Sequence, residues 1–177
     1  MNPVGQRHPG SPAAHKYAGT AKSHHRMILY PFQKEAKDAV LRHWENGNRA
    51  ALIALPTGSG KTIVFSDVLQ SSLSGTKDKG LVVVHRDELL RQAMEKLNFV
   101  WPGVKLSSVD AASSNFAGQV TVASVMSLAR RLHKIPRIHN VMSDEAHHAP
   151  ARSWLSIYNR IGELFPNWRH LGVTATR

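Results

Sequence analysis

Six apolar residues, Ala50-Ala51-Leu52-Ile53-Ala54-Leu55, run straight into Pro56-Thr57-Gly58-Ser59-Gly60-Lys61-Thr62, and apolar residues at helical spacing follow from Lys61 to Leu73. A short apolar run that meets glycines and restarts as a helix is a strand–turn–helix unit. Glycines allow such a turn to point its backbone N–H groups inward, and the helix start adds partial positive charge, so the turn suits an anion, phosphate above all. In that geometry Thr57, Gly58, Ser59 and Gly60 form a cradle, Lys61 reaches the terminal phosphates of a nucleotide, and the Thr62 hydroxyl holds Mg²⁺. The strict phosphate-loop pattern opens on a glycine, and Leu55 stands in its place.

The rest of the chain repeats the alternation. Pro31 suits the first turn of a helix whose apolar face is Ala36, Ala39, Val40, Leu41 and Trp44, with Gly47 ending it. Strands are expected at Leu81 to His85, Val104 to Val109, Val120 to Ala123, Ile138 to Ser143 and His170 to Val173. Helices are expected from Asp87 to Asn98, Ser124 to Leu132 and Ser153 to Leu164. Strands alternating with helices predict an α/β fold with a mostly parallel sheet and helices on both faces. Such sheets bind ligands at the carboxyl ends of their strands, so the turns after Leu55, Val84, Ala123, Ser143 and Val173 are where function is expected.

One of those turns is Asp144-Glu145-Ala146-His147. A carboxylate at a strand end, in a chain with a phosphate loop, suits a magnesium–nucleotide complex. Asp144 would hold the metal and Glu145 would polarise the attacking water. Two adjacent acids on a loop are more often simply solvated, and it is the strand-end position that favours the functional reading.

Together, Pro56-Thr57-Gly58-Ser59-Gly60-Lys61-Thr62, Asp144-Glu145-Ala146-His147 and Thr174-Ala175-Thr176 resemble the motifs of superfamily 2 helicases. The branch they resemble is the type III restriction-enzyme and UvrB-like N-terminal helicase domain, from about Ile28 to Arg177. The resemblance implies a RecA-like lobe that binds ATP and Mg²⁺ and lies along one flank of a nucleic-acid strand, DNA by branch. It further implies that Gln33, in Leu29-Tyr30-Pro31-Phe32-Gln33, reads the adenine edge, although Tyr30 and Phe32 replace the family's usual arginine and tyrosine. Arg86 and Ser124 fall on the family's backbone-binding segments, and His147, Thr174 and Thr176 on its coupling positions. Asp87 is expected to cap the helix after Arg86, and Ser124 to cap the next, roles that need no ligand.

The resemblance also implies a second lobe carrying transition-state arginines, which this sequence does not include. Nucleotide binding is therefore expected to outlast turnover. The alternative is an ATP- and nucleic-acid-binding module without turnover; a small-molecule kinase is disfavoured by the acidic and Thr-Ala-Thr motifs.

Charge agrees with a polyanion partner: 23 Lys+Arg against 12 Asp+Glu leave a formal charge of +11. The first 27 residues are distinct, with three prolines, four basic residues, four histidines and no acid. They are expected to form a disordered basic tail, with residues 28–177 as the folded domain. The tail's charge would suit mitochondrial targeting, but its prolines and glycines spoil a helical face; otherwise the expectation is an intracellular protein of cytoplasm, nucleoid or nucleus. No run of about 18 apolar residues is present, so no membrane partner is expected. The 11 histidines suggest metal, yet His147 and His148 are adjacent and diverge, and the absence of cysteine removes thiolate sites. Structural zinc is not expected.

Overall fold

The computed structural model describes residues 28–144 and 152–175. The proposed tail thus lies outside the described residues. Helix α1 (Pro31–Glu45) leads into β1 (Ala50–Leu55), α2 (Lys61–Leu73), β2 (Gly80–Val84) and α3 (Asp87–Val100). Then come β3 (Leu106–Val109), β4 (Val120–Ser124), a short α4 (Val125–Ala129), a 3-10 turn (Leu132–Lys134), β5 (Asn140–Ser143), α5 (Arg152–Leu164) and β6 (Arg169–Ala175).

The six strands form one sheet in the order β1-β6-β5-β2-β4-β3, and every adjacent pair is parallel. From β1 the chain crosses over two positions to start β2, and β5 and β6 later fill that gap. The phosphate-loop strand therefore ends up beside β6 at the sheet's edge, far in sequence from its neighbours. Because the pairing is parallel throughout, all strands present their carboxyl ends on one side.

Side-chain alternation divides the core in two. Val82 and Val84 of β2, Met142 of β5, and Leu171 and Val173 of β6 point to one face, where α1, α2 and α3 supply Val40, Trp44, Phe65, Leu69 and Leu97. Leu81, Val83, Val109, Ala123 and Val141 point to the other, against Leu128 of α4 and Trp154, Ile157 and Ile161 of α5. β2 and β4 are buried along their whole lengths; β2 accordingly reads as an unbroken apolar run, while β4 also carries the buried hydroxyls of Thr121 and Ser124.

Two local expectations are corrected. Helix α4 stops at Ala129 rather than running to Leu132. The chain leaves helical geometry at Arg131 (φ −129°, ψ 30°), and the 3-10 turn carries it on to Ile135, which Pro136 holds extended (ψ 120°). Arg86, not Asp87, is the N-cap of α3; Asp87 and Glu88 occupy the first turn, where their charge complements the helix dipole.

Candidate nucleotide site at the carboxyl edge of the sheet

The strand order sorts the functional turns along one edge. The phosphate-loop turn follows β1, Thr174 lies near the end of β6, and Asp144 follows β5. These are three consecutive strands, so with neighbours about 4.8 Å apart the axes of β1 and β5 are separated by about 10 Å. The turns after β2 and β4, with Arg86 and Ser124, continue the edge beyond Asp144.

Leu55 pairs with Ala175 and remains part of β1, so the turn proper runs from Pro56 to Gly60. Gly58 (φ +80°) and Gly60 (φ +83°) both sit in the left-handed region, which side chains with a Cβ rarely adopt. Gly60 is also the N-cap of α2, and its carbonyl accepts from the N–H groups of Ile63 (2.9 Å) and Val64 (3.1 Å). The Lys61 ammonium lies 3.5 Å from the Pro56 carbonyl and so is folded back over the turn. Thr57 and Gly58 are exposed, and Ser59, Lys61 and Thr62 are half-buried. The Ser59 hydroxyl is enclosed without a hydrogen-bond partner among the described residues.

Gln33 is only 5% exposed and is tied to the same turn. Its Oε1 accepts from the Tyr30 N–H (3.0 Å), closing back on the helix start, and its Nε2 donates to the Ser59 carbonyl (2.8 Å). A Cβ on Gly60 would come 2.6 Å from that nitrogen, so any side chain there would displace the Gln33 amide, and the positive φ already favours glycine. Lys37 of α1 and Asp67 of α2 form a largely buried ion pair at 2.6 Å, a second tie between the Gln33 helix and the phosphate-loop helix.

Ser143 pairs with Gly172, and Thr174 lies two residues further along β6, beside the turn opened by Asp144. The Asp144 N–H donates to the Val83 carbonyl (3.1 Å), which anchors the turn to β2. Glu145, His147 and Thr176 lie outside the described residues. Arg86 is exposed at the start of α3, where a phosphate has access to it.

Ser124 differs from expectation. It is 2% exposed, its hydroxyl has no partner among the described residues, and it makes no side-chain cap bond although it is the N-cap of α4. Both faces of β4 are covered, so its last side chain points into the core. The accessible groups nearby are Met126, at 54%, and Arg130.

Sequence reading overlooked a polar trio below the acidic turn. The Ser143 hydroxyl lies 2.7 Å from that of Tyr158 on α5 and 2.8 Å from Nε2 of His170 on β6. Burial pushes the His170 imidazole down to about 4 and the Tyr158 phenol up to about 12. The only hint in the sequence is a histidine near the start of an otherwise apolar strand.

Fold and strand-end turns together define a RecA-like lobe of the helicase class. The chain belongs to the family described as type III restriction enzyme, res subunit, which it matches over residues 26–177. The putative ATP-dependent helicase IRC3 of Saccharomyces cerevisiae is 35% identical over 144 residues, covering 73% of this chain and 20% of that protein. The putative mitochondrial ATP-dependent helicase irc3 of Schizosaccharomyces pombe is 34% identical over 159 residues, covering 85% of this chain and 26% of that protein. This chain thus spans about a quarter or less of either relative's length. Among solved structures, the helicase domain of Pyrococcus furiosus Hef superposes with a TM-score of 0.70 at 20% identity, over 82% of this chain and 32% of that one.

Proposed function

We propose that this chain is the ATP-binding motor lobe of a superfamily 2 helicase, in which ATP hydrolysis drives movement along DNA or its remodelling. The observation that carries the reading is the order of turns on the sheet edge: nucleotide motifs on β1, β6 and β5, and the turn with the exposed Arg86 next along on β2. The phosphate-loop turn suits ATP on its own chemistry, with two left-handed glycines, an ammonium folded over the turn and an enclosed serine hydroxyl that lacks a partner.

When bound, ATP would supply the phosphoanhydride and Mg²⁺ would neutralise charge on its phosphates. The residues of the chain have separate tasks. Thr57 to Gly60 would offer backbone N–H groups to phosphate oxygens, and Lys61 would meet the terminal phosphates. Thr62 and Asp144 would hold the metal, and Glu145 would polarise the attacking water. Gln33 recognises adenine, which requires it to exchange or share its present bond to Ser59. Thr174, Thr176 and His147 link the nucleotide site to the nucleic-acid site and to a second lobe that completes the motor. Arg86 contacts a phosphate of the nucleic acid. The burial of Ser124 limits that residue to shaping its turn.

Residues 1–27 remain a candidate basic tail ahead of a domain over residues 28–177. The fission-yeast relative is described as mitochondrial, and the acid-free composition of the tail suits an import signal. No helix among the described residues is long and apolar enough to cross a membrane.

Lys61→Ala tests the core of the reading. Its loss removes charge-assisted bonds worth about 1.5–3 kcal/mol, so Mg·ATP affinity should fall about 10- to 100-fold while the thermal transition stays in place. Wild-type affinity in a folded variant would sink the assignment. For the nucleic-acid half, Arg86→Ala should weaken binding to unrelated oligonucleotides alike and flatten the salt dependence of log K by about one unit. Fluorescence anisotropy over a salt series measures both, and an unchanged slope would return Arg86 to a solvated helix end.

A further inference from the structure

Directly under Asp144, in a mainly apolar layer, sit three polar side chains from three different elements. Ser143, the last residue of β5, is fully buried. Its oxygen is 2.7 Å from the Tyr158 hydroxyl and 2.8 Å from His170 Nε2, and the last two are themselves 3.3 Å apart. The Tyr158 and His170 rings lie 4.9 Å apart, and Trp168 covers both at 5.6 and 5.8 Å. Whichever way the hydroxyl protons run, each of the three polar atoms has a partner within the trio.

Packing alone does not call for this arrangement. Valine in place of Ser143 would match Val141 and Val83 on the same face, and burying three polar groups costs stability unless their bonds are well made. Satisfied buried networks instead impose one arrangement on the elements they join. Here those elements all adjoin the proposed site. Ser143 immediately precedes Asp144, His170 lies on β6 four residues before Thr174, and Tyr158 belongs to the helix that follows the acidic segment.

We propose that Tyr158 and His170, acting through Ser143, are positioning residues that fix the Asp144 carboxylate for the magnesium–nucleotide complex. Neither touches nucleotide or metal. They clamp the end of β5 between β6 and α5, so that Asp144 enters its turn in a single orientation while Val83 holds its N–H from the opposite side. Groups that orient a metal-holding carboxylate in this way commonly control metal affinity by 10-fold or more. The proposal rests on the reading of Asp144 as a magnesium-holding residue, and its test separates the two.

Affinity of the full 177-residue chain for a fluorescent ATP analogue is measured in excess MgCl₂ and in EDTA, and the ratio of the two is compared across variants. Asp144→Ala removes the carboxylate and should collapse the ratio. Tyr158→Phe keeps the ring against Trp168 and removes one oxygen; it should lower the ratio by about tenfold while the EDTA affinity, set by the phosphate-loop turn, stays within about twofold. His170→Leu should do the same, and His170→Gln, which retains a polar atom, should recover most of the ratio. If both affinities fall together in Tyr158→Phe and His170→Leu, the trio is only structural and the proposal is overturned. It is equally overturned if the ratio stays at the wild-type value in both while Asp144→Ala collapses it. A wild-type ratio in Asp144→Ala would instead overturn the magnesium reading of the site itself, and the positioning role with it.

Discussion

The two faces of the sheet are covered to different extents. On one, α1, α2 and α3 spread from β1 to β4, and the alternate residues beneath them are apolar, including Ile53, Leu171, Val173, Met142, Val82 and Val122. On the other, α4 and α5 cover the centre, and the apolar layer gives out towards β1. There β6 presents His170, Gly172 and Thr174, and β1 presents Ala50, Leu52 and Ala54, with Leu52 67% exposed. The first face is built for burial. The second gives up burial where it approaches the nucleotide turns, and a polar network takes the place of methyl groups. The contrast is one of degree: Ser143 of β5 and His170 of β6, with Tyr158 of α5, form a polar network beside the candidate site, whereas at the far edge of the sheet Ser107 and Thr121 make one buried bond to each other.

The contrast can be broken most directly on the well-covered face. Leu97→Ala on α3 empties a fully buried position and should cost about 2–5 kcal/mol in denaturant unfolding. It should leave the magnesium dependence of nucleotide binding unchanged in the folded protein. A changed dependence would mean that the covered face also sets site geometry, and the division between faces would fail.

The polar corner should show itself in acid. Burial holds His170 at about 4, below its ordinary 6.5, so the unfolded chain takes up a proton first as pH falls. The stability conferred by the neutral buried ring is complete above 6.5, declines as pH drops from 6.5 towards 4, and changes no further below that. Over that window the loss is on the order of 3 kcal/mol. Denaturant midpoints measured across the range should lose this limb in His170→Gln; a limb of the same size in the variant would place its source elsewhere.

The smallest effect belongs to the bare margin. Leu52→Ser on β1 should shift stability by no more than about 0.5 kcal/mol, because the side chain buries little. A loss above 2 kcal/mol by the same unfolding measurement would show that this margin is covered in solution, and that the two faces are more alike than they look.

Much of this molecule was legible from residue pattern because the pattern is local. A parallel strand buried on both faces is mostly apolar, which is why β2 could be read from Leu81 to Val84 alone. The phosphate-loop turn was legible for a similar reason: positive φ at Gly58 and Gly60 demands glycine, and the helix start at Lys61 follows at once. The end of α4 was misjudged because the chain leaves helical geometry at Arg131, where no glycine or proline marks a break. The burial of Ser124 was not legible, because it depends on what covers β4, and no neighbouring residue reveals that.

By itself the sequence determined the elements, their alternation and the chemistry of each strand-end turn, because backbone propensity and period act over a few residues. Tertiary structure decided which turns are neighbours. The crossover from β1 to β2 spans two strand positions, which β5 and β6, about 90 and 120 residues downstream, occupy with their apolar side chains packed against the helices. That insertion brought Asp144 and Thr174 beside the phosphate-loop turn. It also brought His170 and Tyr158 onto Ser143, residues 27 and 15 positions away in the chain. No period links such residues; only the packing of α5 against β5 and β6 brings their polar atoms within hydrogen-bonding distance.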